Sequence, residues 1–235
     1  MNNAIPQNLV CYRTFHFDEP NSLENYLKIG GYKVWKDLVA GKIKPEKVIE
    51  EIKASNLLGR GGAGFPTGLK MSFVNRDKPG QKYLVWNSDE SEPGTSKDRF
   101  ILKKNPHQLI EGMAIAAFTM GATVAYNYMR GEFFEEYQKC EAALKEATKA
   151  GLVGSKVLGS NTDIHIHNLI GAGAYIVGEE TAMLESLEGK RAMPRFKPPF
   201  PANFGLYGKP TTVNNTESLA SIPVILEKGS KWFKS

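Results

Sequence analysis

Cysteine is scarce in this chain: Cys11 and Cys140 are the only two in 235 residues. Two thiols cannot supply a four-thiolate zinc or iron–sulfur site, so no metal site is expected. Cys140 is in step with Tyr137, Leu144 and Ala147 on one helix face, which suits a buried structural thiol. Cys11 has no informative neighbours. Long apolar runs are also missing. The nearest candidate, residues 109–129, is broken by Glu111, Gly121 and Asn127, so no transmembrane helix and no direct membrane insertion is expected. The opening MNNAIPQNLV lacks the basic start and apolar stretch of a secretory signal, leaving the cytoplasm as the default. Basic residues give a net charge of +5 but are interleaved with acids, as in residues 42–53 and 139–149. A nucleic-acid binder would concentrate them among aromatics. There is no G-x-x-x-x-G-K-[ST] sequence, so a phosphotransferase is poorly supported. Neither internal repeats nor low-complexity tracts occur.

The composition is that of a globular domain, 41% hydrophobic and 23% charged. Residues 1–44 show no clear period and read as an irregular lead-in, with one domain over residues 45–235. Pro45 opens a helix with Val48, Ile49 and Ile52 on one face. KYLVWN at 82–87 reads as a buried strand. Asn105 and Pro106 begin a helix whose buried stripe is Leu109, Ile110, Met113, Ala114, Ala117 and Phe118. A strand is expected at 123–129, and an amphipathic helix at 133–149 with Glu135/Lys139 and Glu141/Lys145 as four-residue pairs. Residues 163–170 alternate like a third strand and 179–187 form a helix. Residues 194–210 are extended and proline-rich, and a last helix runs from about 214 to 227, with Pro223 bending it. Strands alternating with helices predict an α/β fold, a Rossmann-like layer with a mostly parallel sheet.

GRGGAGFPTG at 59–68 carries five glycines in ten positions. Such density costs conformational entropy, and bare backbone lets N–H groups approach a phosphate or a flat ring. Arg60 and Lys70 add positive charge. The segment before the loop is helical, which disfavours an ordinary dinucleotide fingerprint. A second turn, GAGAYIVGEET at 171–181, follows a strand and opens a helix. Glu179 and Glu180 there either suit the helix macrodipole or face ligand hydroxyls. The acidic loop with Asp89, Glu90 and Glu92 follows a strand end, where α/β sheets place ligands. It is either a solvated surface or part of a site, without a recognised calcium pattern. His165 and His167 share a strand face without a third ligand, as packing or surface residues do. With KPPFPANFG at 197–205, these segments imply one large ligand contacted from several places.

At these residues the sequence resembles the flavin-bearing, NADH-oxidising subunits of respiratory complex I, the NADH-quinone oxidoreductase of bacteria. The ordered series is GRGGAGFPTGLK, NSDESEPGTSKDR, PHQLIEGM, GAGAYIVGEETAMLESLEGKR, RFKPPFPA and GKPTTVNN. The resemblance implies FMN in a pocket made by Gly59, Arg60, Gly61, Gly62, Ala63, Gly64, Lys70, Asn87, Asp89, Glu90, Tyr175, Gly178, Glu179, Glu180, Val213, Asn214 and Asn215. It implies NADH over the flavin, its adenine among Phe65, Phe73 and Phe200 and its polar parts near Lys70, Glu92, Glu180 and Lys197. The implied reaction is hydride transfer from NADH to FMN, giving NAD+, with Glu92, Glu180 and Lys197 as positioning groups and no side chain as acid or nucleophile. Electrons would then pass to iron–sulfur clusters. The family carries a 4Fe–4S cluster in a cysteine-rich domain that follows a ubiquitin-like one, and neither domain is expected within these 235 residues. Implied partners are the thioredoxin-like 2Fe–2S subunit and the large iron–sulfur subunit, on the cytoplasmic side of the inner membrane. Flavin subunits of NAD-linked hydrogenases and formate dehydrogenases share the module, and a non-catalytic nucleotide-binding unit is the alternative of another class. The chain departs from the usual family residues at Met71, Trp86, Ser88 and Val177, where Trp, Cys, Ala and Cys are common.

Overall fold

The computed structural model of the protein describes residues 10–235. The reading of the N-terminus as unlike a secretory signal therefore falls almost wholly outside the described residues. Four strands make one sheet: β1 (Tyr83–Ser88), β2 (Val124–Met129), β3 (His165–Ile170) and β4 (Thr211–Asn215), in the order β3-β2-β1-β4. Every pairing is parallel. Ten α-helices occur among the described residues: α1 (Leu23–Lys28), α2 (Lys33–Val39), α3 (Pro45–Ala54), α4 (Thr67–Met71), α5 (Lys97–Lys104), α6 (Pro106–Met120), α7 (Phe134–Lys149), α8 (Glu180–Leu187), α9 (Thr216–Lys228) and α10 (Ser230–Lys234). The sheet thus lies between a thick helical layer on one face and a thinner cover on the other, the α/β arrangement that alternating strands and helices dictate.

Alternation along β1 divides the core. Leu84 and Trp86 point into the main cluster with α3, α6 and α9, while Val85 points into a smaller one with Val177, Met183, Leu184, Leu206 and Val213. Helix α6 is the centre of the main layer and is buried nearly all round, not only along its expected stripe. It crosses α9 closely because Gly112 has no side chain: a Cβ there would collide with the Leu219 carbonyl. That carbonyl lacks its helical partner, since Pro223, four residues on, has no N–H.

The lead-in contains α1 and α2, fixed to α6 by one buried carboxylate. Glu111 Oε2 accepts from Tyr26 Oη at 2.5 Å and Tyr32 N at 2.8 Å, and Oε1 accepts from Trp35 N at 3.3 Å. The expected pairs on α7 are replaced by tertiary partners. Glu135 pairs with Lys103 at 2.9 Å, and Glu141 accepts from Asn168 at 2.8 Å. Strand β4, like α5, is an element that sequence pattern missed. It occupies five residues between Pro210 and the start of α9, too few for a period to show, and it moves Asn214 and Asn215 from the helix to a strand end.

Candidate functional site

The glycine-rich loop is neither a strand-to-helix turn nor a free linker. Leu58 and Pro66 face each other as an isolated antiparallel bridge, with Gly59 N donating to Phe65 O and Thr67 N to Leu57 O, both at 2.9 Å. This pinch closes residues 59–65 into a compact loop. Gly62 and Gly64 adopt φ of 106° and 65°, conformations that disfavour any side chain. Gly61 has no such need, and a Cβ there would only touch Asn215. Arg60 N donates to Ser218 Oγ at 2.9 Å, which docks the loop on α9.

A cleft of about 860 Å³ opens beside this loop at the C-terminal ends of β1 and β4. Its walls are residues 59–73 on one side, 178–180 and 197–203 on another, and 211–218 as the floor. Phe65, Phe73 and Phe200 line it while each keeps about half of its surface exposed. Four charges alternate across it. Lys70 Nζ lies 2.8 Å from Glu180 Oε2, and Lys197 Nζ lies 2.9 Å from Glu180 Oε1 and 3.0 Å from Glu179 Oε1. Partial burial alone would raise the Glu180 pKa, but Lys70 and Lys197 outweigh it and hold the carboxyl below its usual range. Glu179 is also lowered against its burial, by Thr181, Ala182 and Lys197. Its Oε2 accepts from the N–H groups of Thr181 and Ala182, both at 2.8 Å. The macrodipole role and the cleft-facing role are therefore filled by opposite oxygens of one side chain.

The acidic loop divides its labour. Glu90 is buried and caps α5, its oxygens accepting from Asp98 N at 2.8 Å and Arg99 N at 3.0 Å. Glu92 stands at the rim and accepts from Tyr175 Oη. Asp89 Oδ2 is buried with no partner among the described residues, beside Gly178. Burial pushes the Asp89 pKa up, against Ser91 and Arg130.

The turn from β4 into α9 grips three neighbours: the start of α5, strand β1 and the glycine loop. Asn215 donates from Nδ2 to Asp98 Oδ2 at 2.6 Å and accepts from Glu217 N at 3.0 Å. Thr216 Oγ1 meets Trp86 Nε1 and Ser88 Oγ at 2.8 Å each. Glu217 pairs with Lys97 at 3.2 Å, and Ser218 holds the glycine loop.

Most of the residues singled out from sequence converge here. Gly59, Gly61, Ala63, Gly64, Phe65, Lys70, Phe73, Asn87, Gly178, Glu179, Glu180, Lys197, Phe200, Val213, Asn214 and Asn215 line the cleft. Arg60, Gly62, Asp89, Glu90, Glu92 and Tyr175 do not line it and stand behind or around it. Sequence reasoning did not single out Thr67, Pro201, Ala202, Asn203, Thr211, Thr212 and Ser218 as residues, although the first four lie in the segments 59–68 and 197–205 that it did. Thr67 stands three positions after Gly64, and a hydroxyl in the glycine-rich loop was the available signal. His167 stacks on Tyr126 at 5.4 Å, and Cys140 is buried with its thiol pKa pushed up by burial, as packing residues. Cys11 is also buried, which takes its thiol to about 12.

The cleft can be tested for a polar, flat, phosphate-bearing occupant. Two buried side-chain atoms in its lining, Thr67 Oγ1 and Asn214 Nδ2, have no hydrogen-bond partner among the described residues. Buried donors and acceptors are nearly always satisfied, so a ligand with matching groups fits them. The bare glycine backbone, two lysines and three exposed phenyl rings fit a phosphate and a ring system. A parallel α/β layer bearing such a cleft at its strand ends defines a nucleotide-binding domain.

Comparison with known proteins narrows the class. Residues 52–224 match the family described as the Nuo51 FMN-binding domain, of the complex I 51K group, and the chain belongs to that family. It is 53% identical over 227 residues to the F subunit of NADH-quinone oxidoreductase from Rickettsia bellii, covering 95% of this chain and 53% of that one. It is 60% identical over 190 residues to one from Rhizobium meliloti, covering 80% of this chain and 43% of the relative. The chain thus spans about half the length of the curated relatives it matches. Among solved structures, the NAD+-reducing [NiFe]-hydrogenase in its air-oxidized state superposes with a TM-score of 0.76 at 37% identity. That match covers 90% of this chain and 35% of that one.

Proposed function

We propose that this chain is the FMN- and NADH-binding part of an NADH-quinone oxidoreductase. The observation that carries the reading is a cleft of about 860 Å³, large enough for two stacked ring systems, whose lining residues Asn214 and Thr67 each keep a buried polar atom without a partner among the described residues. FMN, when bound, supplies the acceptor for the hydride of NADH. The chain's own residues bind and align. The amides of residues 61–64 and the α9 start, with Lys70, favour a phosphate. Asn214 offers an N–H to a ring edge, and Asn87, whose Nδ2 donates to Gly178 O at 2.9 Å, holds the opposite wall. Phe65, Phe73 and Phe200 offer faces to an adenine and exclude water. Lys70 and Lys197 each offset phosphate charge once a ligand competes with Glu179 and Glu180 for them. No side chain of the cleft is required as a nucleophile.

The names of the relatives support assembly into a complex I peripheral arm. Within the proposal, the neighbours are the thioredoxin-like 2Fe–2S subunit and the large iron–sulfur subunit, on the cytoplasmic side. No helix among the described residues is long and apolar enough to cross a membrane. The test is reconstitution of the purified chain with FMN. Quenching of flavin fluorescence on binding and anaerobic bleaching of the flavin absorbance by NADH are expected. A chain that neither takes up FMN nor oxidises NADH with ferricyanide overturns the reading.

A further inference from the structure

Behind the floor of the cleft, on the face of the sheet turned toward the main core, six side chains form one continuous hydrogen-bonded row. Trp86 Nε1 reaches Thr216 Oγ1 at 2.8 Å, and Thr216 Oγ1 lies 2.8 Å from Ser88 Oγ. Ser88 Oγ donates to Asn127 Oδ1 at 2.7 Å, Asn127 Nδ2 to Asn168 Oδ1 at 2.9 Å, and Asn168 Nδ2 to Glu141 Oε1 at 2.8 Å. Trp86, Ser88, Asn127 and Thr216 are all fully buried.

The two ends of the row orient both amides and the Ser88 hydroxyl between them. An indole N–H can only donate, and an ionised carboxylate can only accept. Asn168 must therefore turn its NH2 to Glu141 and its oxygen to Asn127. Asn127 must turn its oxygen to Ser88. Ser88 spends its one proton on Asn127, and Thr216 accepts from Trp86. Both amides and the Ser88 hydroxyl are thereby oriented, while the Thr216 proton has two acceptors in reach, Ser88 Oγ and Asn87 O. Bonds aligned head to tail polarise one another, and the negative charge lies at the accepting end.

The row matters to the cleft because of where it crosses the sheet. Asn87 and Asn215 are register partners on β1 and β4, and both line the cleft. Parallel pairing between these strands ends there, because Thr216 begins α9. The next residues, Ser88 and Thr216, continue the junction through their hydroxyls where the backbone no longer can. Thr216 Oγ1 also lies 3.1 Å from Asn87 O. The row then passes β2 and β3 to reach α7, roughly 14 Å at three strand spacings.

We propose that Ser88 is a positioning residue for the cleft: through a hydrogen-bond chain from Trp86 to Glu141 it sets the spacing of Asn87 and Asn215. The proposal rests on the cleft being an FMN site, and it makes Glu141, on the far side of the sheet, a remote member of that site. Truncating Ser88 leaves the Asn127 oxygen unpaired and removes one of the three hydrogen bonds that tie β1 to Thr216 at the start of α9. Removing the Glu141 carboxylate takes away the acceptor that orients the row.

The test compares Ser88→Ala, Glu141→Ala, Glu141→Gln and the double variant S88A/E141A. Trp35→Phe serves as a control that deletes one buried hydrogen bond, to Leu152 O at 2.7 Å, outside the row. Urea unfolding gives stability without any ligand, and flavin fluorescence gives the FMN Kd. Ser88→Ala is expected to raise the Kd about five- to tenfold, the scale of one lost buried hydrogen bond. Glu141→Gln, whose oxygen still accepts, should stay within about twofold. Trp35→Phe should lose comparable stability with the wild-type Kd. Ser88 and Glu141 do not touch, so additive stability losses would show that no chain joins them, and non-additive losses are expected. An equal rise in Kd for Trp35→Phe and Ser88→Ala would overturn the positioning role. Wild-type protein that binds no FMN would instead overturn the functional reading and with it the positioning claim, while the unfolding data still decide the chain.

Discussion

Lys70 reaches Glu180 across the cleft at 2.8 Å, tying the short helix behind the glycine loop to the first residue of α8. A second lysine, Lys197, holds the other oxygen of the same carboxylate. One glutamate therefore sets the position of both cations that a dinucleotide's phosphates would meet.

Glu180→Gln keeps the size of that side chain and removes its charge. It is expected to raise the KM for NADH about tenfold, the scale of one charge-assisted contact, with the FMN Kd within about threefold. Steady-state ferricyanide reduction and flavin fluorescence measure the two. Equal loss of both would contradict the division of the cleft between the two ligands.

Phe200 lines the cleft and keeps more than half of its surface exposed. Phe200→Ala should cost little stability but weaken NADH use about five- to tenfold, the worth of one aromatic stacking contact. An unchanged KM would place the adenine elsewhere.

The glycines of the loop should separate into two kinds. Gly64→Ala forces a side chain onto φ of 65° and should cost about 1–2 kcal/mol in urea unfolding. Gly61→Ala should leave stability almost unchanged but weaken FMN binding, because its Cβ enters the cleft beside Asn215. Similar unfolding curves for both variants would refute the distinction.

Asp98 is buried next to Lys97, and burial, only partly offset by Lys97, lifts its pKa from 3.8 to about 6. A raised carboxyl binds its proton more tightly in the folded chain. Its contribution to stability is therefore full below about pH 4 and is lost as pH rises through about 6. Asp98→Asn removes this titration, so the stability of the wild type relative to the variant should fall across that window in urea titrations. A pH-independent difference would show that Asp98 titrates normally.

The sequence revealed the sheet's parallel character, the main helices and most of the cleft, because those features rest on periodicity and glycine density. It did not reveal β4, since five residues between a proline and a helix carry no period. Nor could it separate lining residues from their supports. Glu90 and Asp89 are adjacent in an acidic loop, yet Glu90 caps α5 while Asp89 leaves an oxygen unpartnered beside Gly178. That division depends on where α5 begins, and α5 was itself missed because its polar sequence shows only a weak apolar face. Glu141 likewise reads as half of a helical pair with Lys145 until the neighbouring strand supplies Asn168. The four departures from the usual family residues are all buried, and two of them, Trp86 and Ser88, take up hydrogen bonds to the same Thr216 hydroxyl.

Because residues 215–218 together fasten the start of α5, strand β1 and the glycine loop, the protein's tolerance of length change must be uneven. One residue inserted within that turn would rotate every later side chain of α9 by about 100°, and the walls fastened beyond the insertion would lose their anchors together. Natural variation in length should therefore avoid the four positions where the floor of the cleft becomes a helix, and equally residues 195–203, which place Lys197 and Phe200 in the cleft.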